Sequence, residues 1–431
     1  MTRIDLAEAR QRGGLADWTP YLSTSQVDTP AAFELSEQPC NMTSDFGTSK
    51  PSEENLNPAP LIALTRWIGR SPLPIFSVLV SRHGKIVYAL YTSNIDPDAA
   101  HYLMSVTKSL TSALAGVAFG HQLLDGPGQS IAAAIPRKAF PDKSAYKRFS
   151  GVTLRNAMAM SALDAQVWPH LKTAAAKKLG DAFYDGPDRL TLALKQDVLT
   201  HPGRDFQYTD ITPQLVAGAI EYTAQTTLLD FAKTSLFDPM QFKNEEWMHE
   251  DSRANDNASY GLRLRPVDMQ KFGILYLNQG CWDGRQLLPA AWAKVSFTPW
   301  IKSNGELGKP NYGWFWWRQL FADGWVGHVA DGWKGQRIAV FPEQDVVVTM
   351  TGSIEESDGD EESVFATVMN DYIIPAVDSP GDGSSNVAAL EQQLGEELKR
   401  VHNGPSRFRG IDEPRMLPSA KLKERHRPFP H

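Results

Sequence analysis

Polar and apolar positions divide this chain into a polar start, strand-like stretches near both ends of a central body, and a helical middle. Residues 1 to about 58 hold no sustained apolar period and are broken by Pro20, Pro30, Pro39, Pro51 and Pro58. They read as an N-terminal arm draped over the body, partly disordered. Apolar residues then recur at helical spacing from Leu61 to Ile68. The β-rich runs Ile75–Ser81 and Lys85–Tyr91 are joined by Arg82-His83-Gly84, which predicts a hairpin with His83 as a turn residue.

From about 102 to 235 the pattern predicts mainly helices. These are the small-residue run 111–119, 151–161 with Thr153 as cap, 174–183 and 189–199. A further helix starts at Thr212, with Thr212 as cap and Pro213 in the first turn. Beyond 260 a helix is expected over 266–278, closed by Gly280, and a β-like run over 312–318. The runs 335–341 and 346–350 read as an antiparallel pair, followed by a helix over 362–374. Strands at both ends with helices between predict one sheet assembled from distant segments, with a helical insertion over about 110–260. Residues 378–385 read as a linker, Val387, Leu390, Leu394, Leu398 and Val401 as an amphipathic helix, and the last thirty residues as a basic tail. The expected division is arm 1–58, body 59–377, and linker, helix and tail 378–431.

Composition narrows the function classes. With 431 residues, 42% hydrophobic and 22% charged, the chain is an ordinary globular protein too long for one small core. A net charge of −7 argues against nucleic acid as the main partner. The start lacks the apolar region of a signal peptide, and no apolar run approaches the ~18 residues of a membrane span, so no membrane partner is expected. Two cysteines, Cys40 and Cys281, imply no disulfide framework, which makes a reducing cytoplasm the default expectation. The ten histidines lack ligand spacing and there is no phosphate-binding loop, so neither metal nor cofactor is expected.

The candidate chemistry centres on His101-Tyr-Leu-Met-Ser105-Val-Thr-Lys108-Ser-Leu110. Residues i and i+3 of a helix share a face, so the Ser105 hydroxyl and Lys108 amine can meet. A helix N-terminus favours an alkoxide and disfavours an ammonium, and burial lowers a lysine's proton affinity in the same sense. Lys108 can therefore act as the base that serine needs. The same spacing recurs at Ser144 and Lys147, but among Pro141, Asp142, Lys143 and Arg148, a polar and exposed context that argues against catalysis. Tyr208 precedes a helix on a loop able to face a cleft.

Three ordered stretches carry a resemblance: Leu103-Met-Ser-Val-Thr-Lys-Ser-Leu110, Tyr208-Thr-Asp210, and His328-Val-Ala-Asp-Gly-Trp-Lys-Gly-Gln336. Together they resemble the serine hydrolases of the penicillin-binding-protein and class C β-lactamase type. Within that group they look closest to the 6-aminohexanoate-dimer hydrolase and carboxylesterase branch, whose pattern also fits residues 268–280. The resemblance spans roughly residues 70–375. It implies an α+β fold, with a central antiparallel sheet flanked by helices and an inserted, mainly helical domain. It also implies Ser105 as nucleophile and Lys108 and Tyr208 as proton-transfer groups. The backbone amides of Ser105 and of a residue near Asp331 would form the oxyanion hole, with Asp210, His328, Ala330 and Trp333 placed for substrate.

Two departures stand out. Asp210 takes the place of the asparagine of Tyr-x-Asn, either to stabilise a protonated Lys108 or to cap the helix at Thr212. His328-Val329-Ala330 replaces Lys-Thr-Gly, so the lysine that would greet a β-lactam carboxylate is missing, although Lys334 lies close in sequence. Both changes point away from β-lactamase or transpeptidase activity. Trp314, Trp316 and Trp317 line a pocket or pack the core. The expectation is an acyl-enzyme hydrolase of a small ester or amide, with a homodimer left open. The alternative is a binding or scaffold protein, or an acyl-trapping sensor, that kept the fold without turnover.

Overall fold

The computed structural model describes Phe33, Leu35, Cys40 and residues 46–93, 95–165, 174–184, 188–248, 256–303, 309–355, 361–379 and 386–405. Its centre is one antiparallel sheet of eight strands. These are β1 (Ile75–Arg82), β2 (Lys85–Tyr91), β3 (Ile301–Lys302), β4 (Asn311–Tyr312), β5 (Trp317–Leu320), β6 (Val326–Gly332), β7 (Gln336–Phe341) and β8 (Val346–Gly352). They lie in the order β2-β1-β8-β7-β6-β5-β4-β3. Every residue of β8 is buried, as a continuous valine-rich run requires when both faces are covered. It joins the two ends of the body, with Val78 opposite Met350 on one side and Ile338 opposite Thr349 on the other. The expected hairpin forms between β1 and β2, with His83 (φ 52°) and Gly84 (φ 76°) both left-handed, as a tight hairpin turn demands.

The helices used below are α1 (Pro58–Arg70), α2 (Val106–Gly120), α3 (Ala174–Tyr184), α4 (Arg189–Lys195), α5 (Pro213–Ala224), α6 (Pro266–Leu277), α7 (Glu361–Val368) and α8 (Val387–His402). One sheet face carries α6 and α2. Gly273 allows α6 to approach so closely that a Cβ there would lie 2.4 Å from Val347. The opposite face carries α1, whose Thr65 hydroxyl lies 3.0 Å from that of Tyr88, and α7, whose Phe365 meets Phe321, itself edge-on to Phe341. Helix α5 packs on α2, so the helical insertion is seated on the helix that follows Ser105. Helix α8 folds back onto α1 through buried Leu394 and Val401 and the Arg66–Glu397 ion pair at 2.8 Å.

Several expectations change. Residues 312–318 are not one strand but β4 and β5 around a tight turn, in which Gly313 fits against the Ser296 carbonyl (a Cβ would lie 2.0 Å away) and Phe315 has φ 61°. The dense aromatic run hides that turn. Thr212 lies in helical geometry and makes no capping bond to α5, whereas Thr153 does cap the helix Leu154–Met158. The helix expected over 362–374 ends at Val368 and continues through a wide turn, Met369–Ile373.

Most of the arm, and the tail beyond residue 405, lie outside the described residues. The described arm residues are bound to the body. Phe33 is fully buried against Phe119 and Trp292, at centroid distances of 6.1 and 5.3 Å. Cys40 and Cys281 form a disulfide, which the two cysteines did not imply in the sequence. The pairing was not legible because 241 residues separate the two cysteines. It removes the ground for expecting a reducing compartment, since such bonds persist mainly in oxidising ones. Among the described residues no helix is long and apolar enough to cross a membrane.

A bond closing so long a loop typically stabilises by about 2–4 kcal/mol. Reductant is therefore expected to lower the thermal unfolding midpoint by several degrees. Cys281→Ala protein is expected to start from the lower midpoint and show no further response to reductant.

Candidate active site

The nucleophile candidate sits where the chain turns from a two-residue strand into α2. His101–Tyr102 pairs with Leu262–Leu264, which draws the 256–260 loop alongside. Met104 then takes φ 50°, an uncommon conformation for a non-glycine residue, and Ser105 occupies the position before the first helical residue. Its hydroxyl makes no cap to the helix and remains available to Lys108. The Ser105 amide lies at the helix start, where backbone donors lack helical partners.

Lys108 is 1% exposed. Its Nζ donates to Ser105 Oγ at 2.7 Å, to Asp210 Oδ1 at 2.7 Å and to the Ser259 carbonyl at 3.0 Å. An ammonium has three donors, and all three are used here. Burial pulls its proton affinity below that of an ordinary lysine, while the adjacent Asp210 carboxylate works in the opposite sense. The second oxygen of Asp210 accepts from the Tyr184 hydroxyl at 3.1 Å. Asp210 thus pairs with Lys108, which is the contact that the first of the two roles left open for it requires.

Tyr208 is buried with its ring 5.1 Å from Lys108 Nζ. The ring stacks on Trp317 at 5.4 Å and meets Tyr312 edge-on at 6.0 Å. Of the three tryptophans, Trp317 supports Tyr208. Trp314 and Trp316 are core, packed on Trp292 and Trp300 and on Tyr276 and Phe297 respectively.

The end of β6 forms the second wall. Gly332 abuts the nucleophile turn so closely that a Cβ would lie 2.3 Å from the Leu103 carbonyl and 3.2 Å from the Met104 side chain. Strand alternation turns Ala330 to the same face and the Asp331 side chain to the other. There Asp331 is ion-paired with Lys309 and Arg337, and Lys309 and Arg337 also reach Glu362 at 2.7 and 2.8 Å. These cations hold the Asp331 carboxyl far below the usual carboxylate range against the cost of its burial. β5 pairs with β6 only as far as Val329, so the 330–332 edge continues beyond its neighbour.

His328, expected at the substrate, is half-buried on β6. It stacks on Phe297 at 4.0 Å, and burial, with Arg318 close by, pulls its pKa down to about 3. Two steps along the strand, Ala330 remains beside α2. Trp333, 52% exposed, stands on the β6–β7 turn with Lys334 Nζ 4.6 Å from its ring. Ser144 and Lys147 lie exposed on a surface helix, as their context implied. Ser259 and Tyr184 were missed. One acts through its carbonyl and the other from the end of a helix, and neither belongs to a motif of characteristic spacing. Among the described residues no group of histidine, cysteine and carboxylate side chains could hold a metal ion.

Three comparisons bear on this geometry. In solved structures, the chain is similar to a protein assigned as a 6-aminohexanoate-dimer hydrolase from Bacillus anthracis (TM-score 0.60, 17% identity, 80% of this chain and 89% of the other). It is also similar to EstCE1, a hydrolase with promiscuous acyltransferase activity (TM-score 0.59, 14% identity, 74% and 98%). A mutant of simvastatin synthase from Aspergillus terreus aligns at TM-score 0.58 and 14% identity, over 75% and 100% of the chains. No curated protein matches in sequence. At these identities the likeness establishes the fold alone. The β-lactamase family pattern itself matches residues 72–368, more than half of the sequence, and the chain belongs to the β-lactamase family.

Proposed function

We propose that this β-lactamase-family protein is a serine hydrolase that cleaves a small ester or amide through an acyl-enzyme on Ser105. The observation that carries the reading is the continuous contact from Ser105 Oγ through Lys108 Nζ to Asp210 Oδ1, each link 2.7 Å. Lys108 in its uncharged form takes the Ser105 proton as Oγ attacks the acyl carbon. Asp210 then stabilises the ammonium so formed. The amide of Ser105 and one from the 330–332 edge of β6 hold the developing oxyanion, and such donors are worth about 3 kcal/mol each in comparable sites. Collapse breaks the bond to the leaving alkoxide or amine, which receives its proton from Lys108 by way of the Tyr208 phenol. Water then attacks the acyl-enzyme, gives up its proton by the same route, and Ser105 leaves with a proton restored.

The family match, together with the hydrolase names of two structures of like fold, supports acyl-group chemistry at this site. The absence of a lysine in the 328–330 run supports an ester or amide over a β-lactam. A disulfide-bonded arm fits work in an oxidising compartment better than in the cytoplasm.

Four outcomes test the assignment. Ser105→Ala is expected to lower kcat/KM on a p-nitrophenyl ester by at least ~10³-fold and to abolish fluorophosphonate labelling; near-normal rates would refute the nucleophile. Wild-type enzyme is expected to give a nitrophenol burst followed by steady release, whereas a stoichiometric burst alone would indicate an acyl trap. Asp210→Asn removes the charge that raises the proton affinity of Lys108. The acid limb of its kcat/KM profile is therefore expected to move to lower pH, with kcat reduced about 10–100-fold because the ammonium formed during attack loses its counter-charge. Gly332→Ala forces β6 away from the Leu103 carbonyl, and a displacement near 1 Å at such a site typically costs about 10²-fold. Its kcat is expected to fall accordingly while α2 and the sheet stay folded by circular dichroism.

A further inference from the structure

We propose that Tyr184, at the end of α3, is a positioning residue: its phenol fixes the outer oxygen of Asp210 and so limits how tightly Asp210 holds the proton of Lys108. The inference rests on the reading of Ser105 as nucleophile. The contact is local and complete. Tyr184 donates to Asp210 Oδ2 at 3.1 Å while Lys108 donates to Oδ1 at 2.7 Å, so the two oxygens are divided between two donors. Asp210 is 5% exposed, leaving little water to take the place of either.

Tyr184 is itself held from several sides. Its ring lies 5.7 Å from Tyr260 and 5.3 Å from Phe183. Tyr260 follows Ser259, whose carbonyl is the third acceptor of Lys108. Buried Arg189, the first residue of α4, donates to the Phe183 carbonyl at 3.0 Å and to the Tyr184 carbonyl at 3.4 Å, binding the free end of α3. Cationic donors at a helix C-terminus suit both its unpaired carbonyls and its dipole. Burial, with Asp210 close by, keeps the Tyr184 phenol protonated, and hence a donor, far above neutral pH. Helix α3 thereby adds a group to the Lys108 contacts supplied by α2, the approach to α5 and the 256–260 loop.

The chemical consequence follows from charge. A carboxylate that accepts a second hydrogen bond is a weaker base toward its first partner. Without the phenol, Asp210 pulls harder on the Lys108 proton, and the uncharged amine appears only at higher pH. The titratable and charged groups facing this pair are Lys108 from α2, Tyr184 from α3, Arg189 from α4 through its influence on Tyr260, Tyr208 and Tyr260 from their loops, and more distantly Asp331 from β6. Tyr184→Phe alters one of these and keeps the ring contacts.

The experiment follows kcat/KM on a nitrophenyl ester, and the rate of fluorophosphonate labelling, against pH. The proteins compared are wild type, Tyr184→Phe, Asp210→Asn and the double variant, with folding checked by circular dichroism and thermal midpoint. Tyr184→Phe is expected to move the acid limb upward by about 0.5–1 pH unit, a roughly three- to tenfold rise in proton affinity, and to leave the high-pH plateau nearly intact. In the Asp210→Asn background the same substitution is expected to move nothing. An unmoved limb, an equal fall at every pH, or a shift that persists without the Asp210 charge would each overturn the proposal while Ser105 is still labelled. Labelling of wild type at a residue other than Ser105 would instead sink the hydrolase reading, and the role of Tyr184 with it.

Discussion

A lysine nitrogen removed from water must find acceptors for its donors or lose its charge, and Lys108 is organised around that constraint. Ser105 Oγ, Asp210 Oδ1 and the Ser259 carbonyl meet its three donor directions. They come from three segments far apart in the chain, so the contact exists only when α2, the approach to α5 and the 256–260 loop are packed together. In the proposed reaction, the same burial that makes the arrangement demanding also makes it reactive. Desolvation disfavours the ammonium, Asp210 favours it, and the opposition leaves a proton that can move.

The sheet supplies the fixed wall against which this works. Gly332 lets β6 touch the backbone of the nucleophile turn, and the side chain of the preceding residue anchors the strand from behind. Asp331, Lys309 and Arg337, all buried, form a charged cluster with half-buried Glu362. Removing one member would leave another charge buried and unpaired, which is usually far more destabilising than the intact cluster is stabilising. Its balance is fine. Burial, opposed by Arg337 and reinforced by Asp331 and Glu362, pushes the neighbouring Glu361 up to about 7. Lys309 also lies 5.4 Å from the Trp317 ring, on which Tyr208 stacks, so the cluster and the aromatic support of the site share a neighbour.

The aromatic residues divide by position. Trp314 and Trp316, two residues apart, belong to one packed core row with Trp292, Tyr276 and Phe297, and the odd-numbered Trp317 turns toward Tyr208. Alternation along a strand would have anticipated such a split, but the turn at Gly313 breaks the period just before it. His328 follows the same logic. A polar ring two residues from Ala330 invites a substrate role, and the neighbouring Phe297 offers the flat surface on which that half-buried ring stacks.

The sequence by itself determined what depends on short spacing. The strand pairs β1–β2 and β7–β8, the shared helical face of Ser105 and Lys108, the placing of Tyr208 just ahead of a helix, and the dismissal of Ser144 with Lys147 all follow from residues a few positions apart. Only the tertiary structure decided the contacts whose partners are remote. The union of Asp210 with Lys108 joins positions 102 apart, and the disulfide from Cys40 to Cys281 joins positions 241 apart. The same holds for Ser259, which acts through a carbonyl that every residue type carries, and for Tyr184, whose phenol matters only because Arg189 and Tyr260 hold it at Asp210. Local pattern fixes direction and period along one element. It carries no record of which distant element will fill the space in front of it.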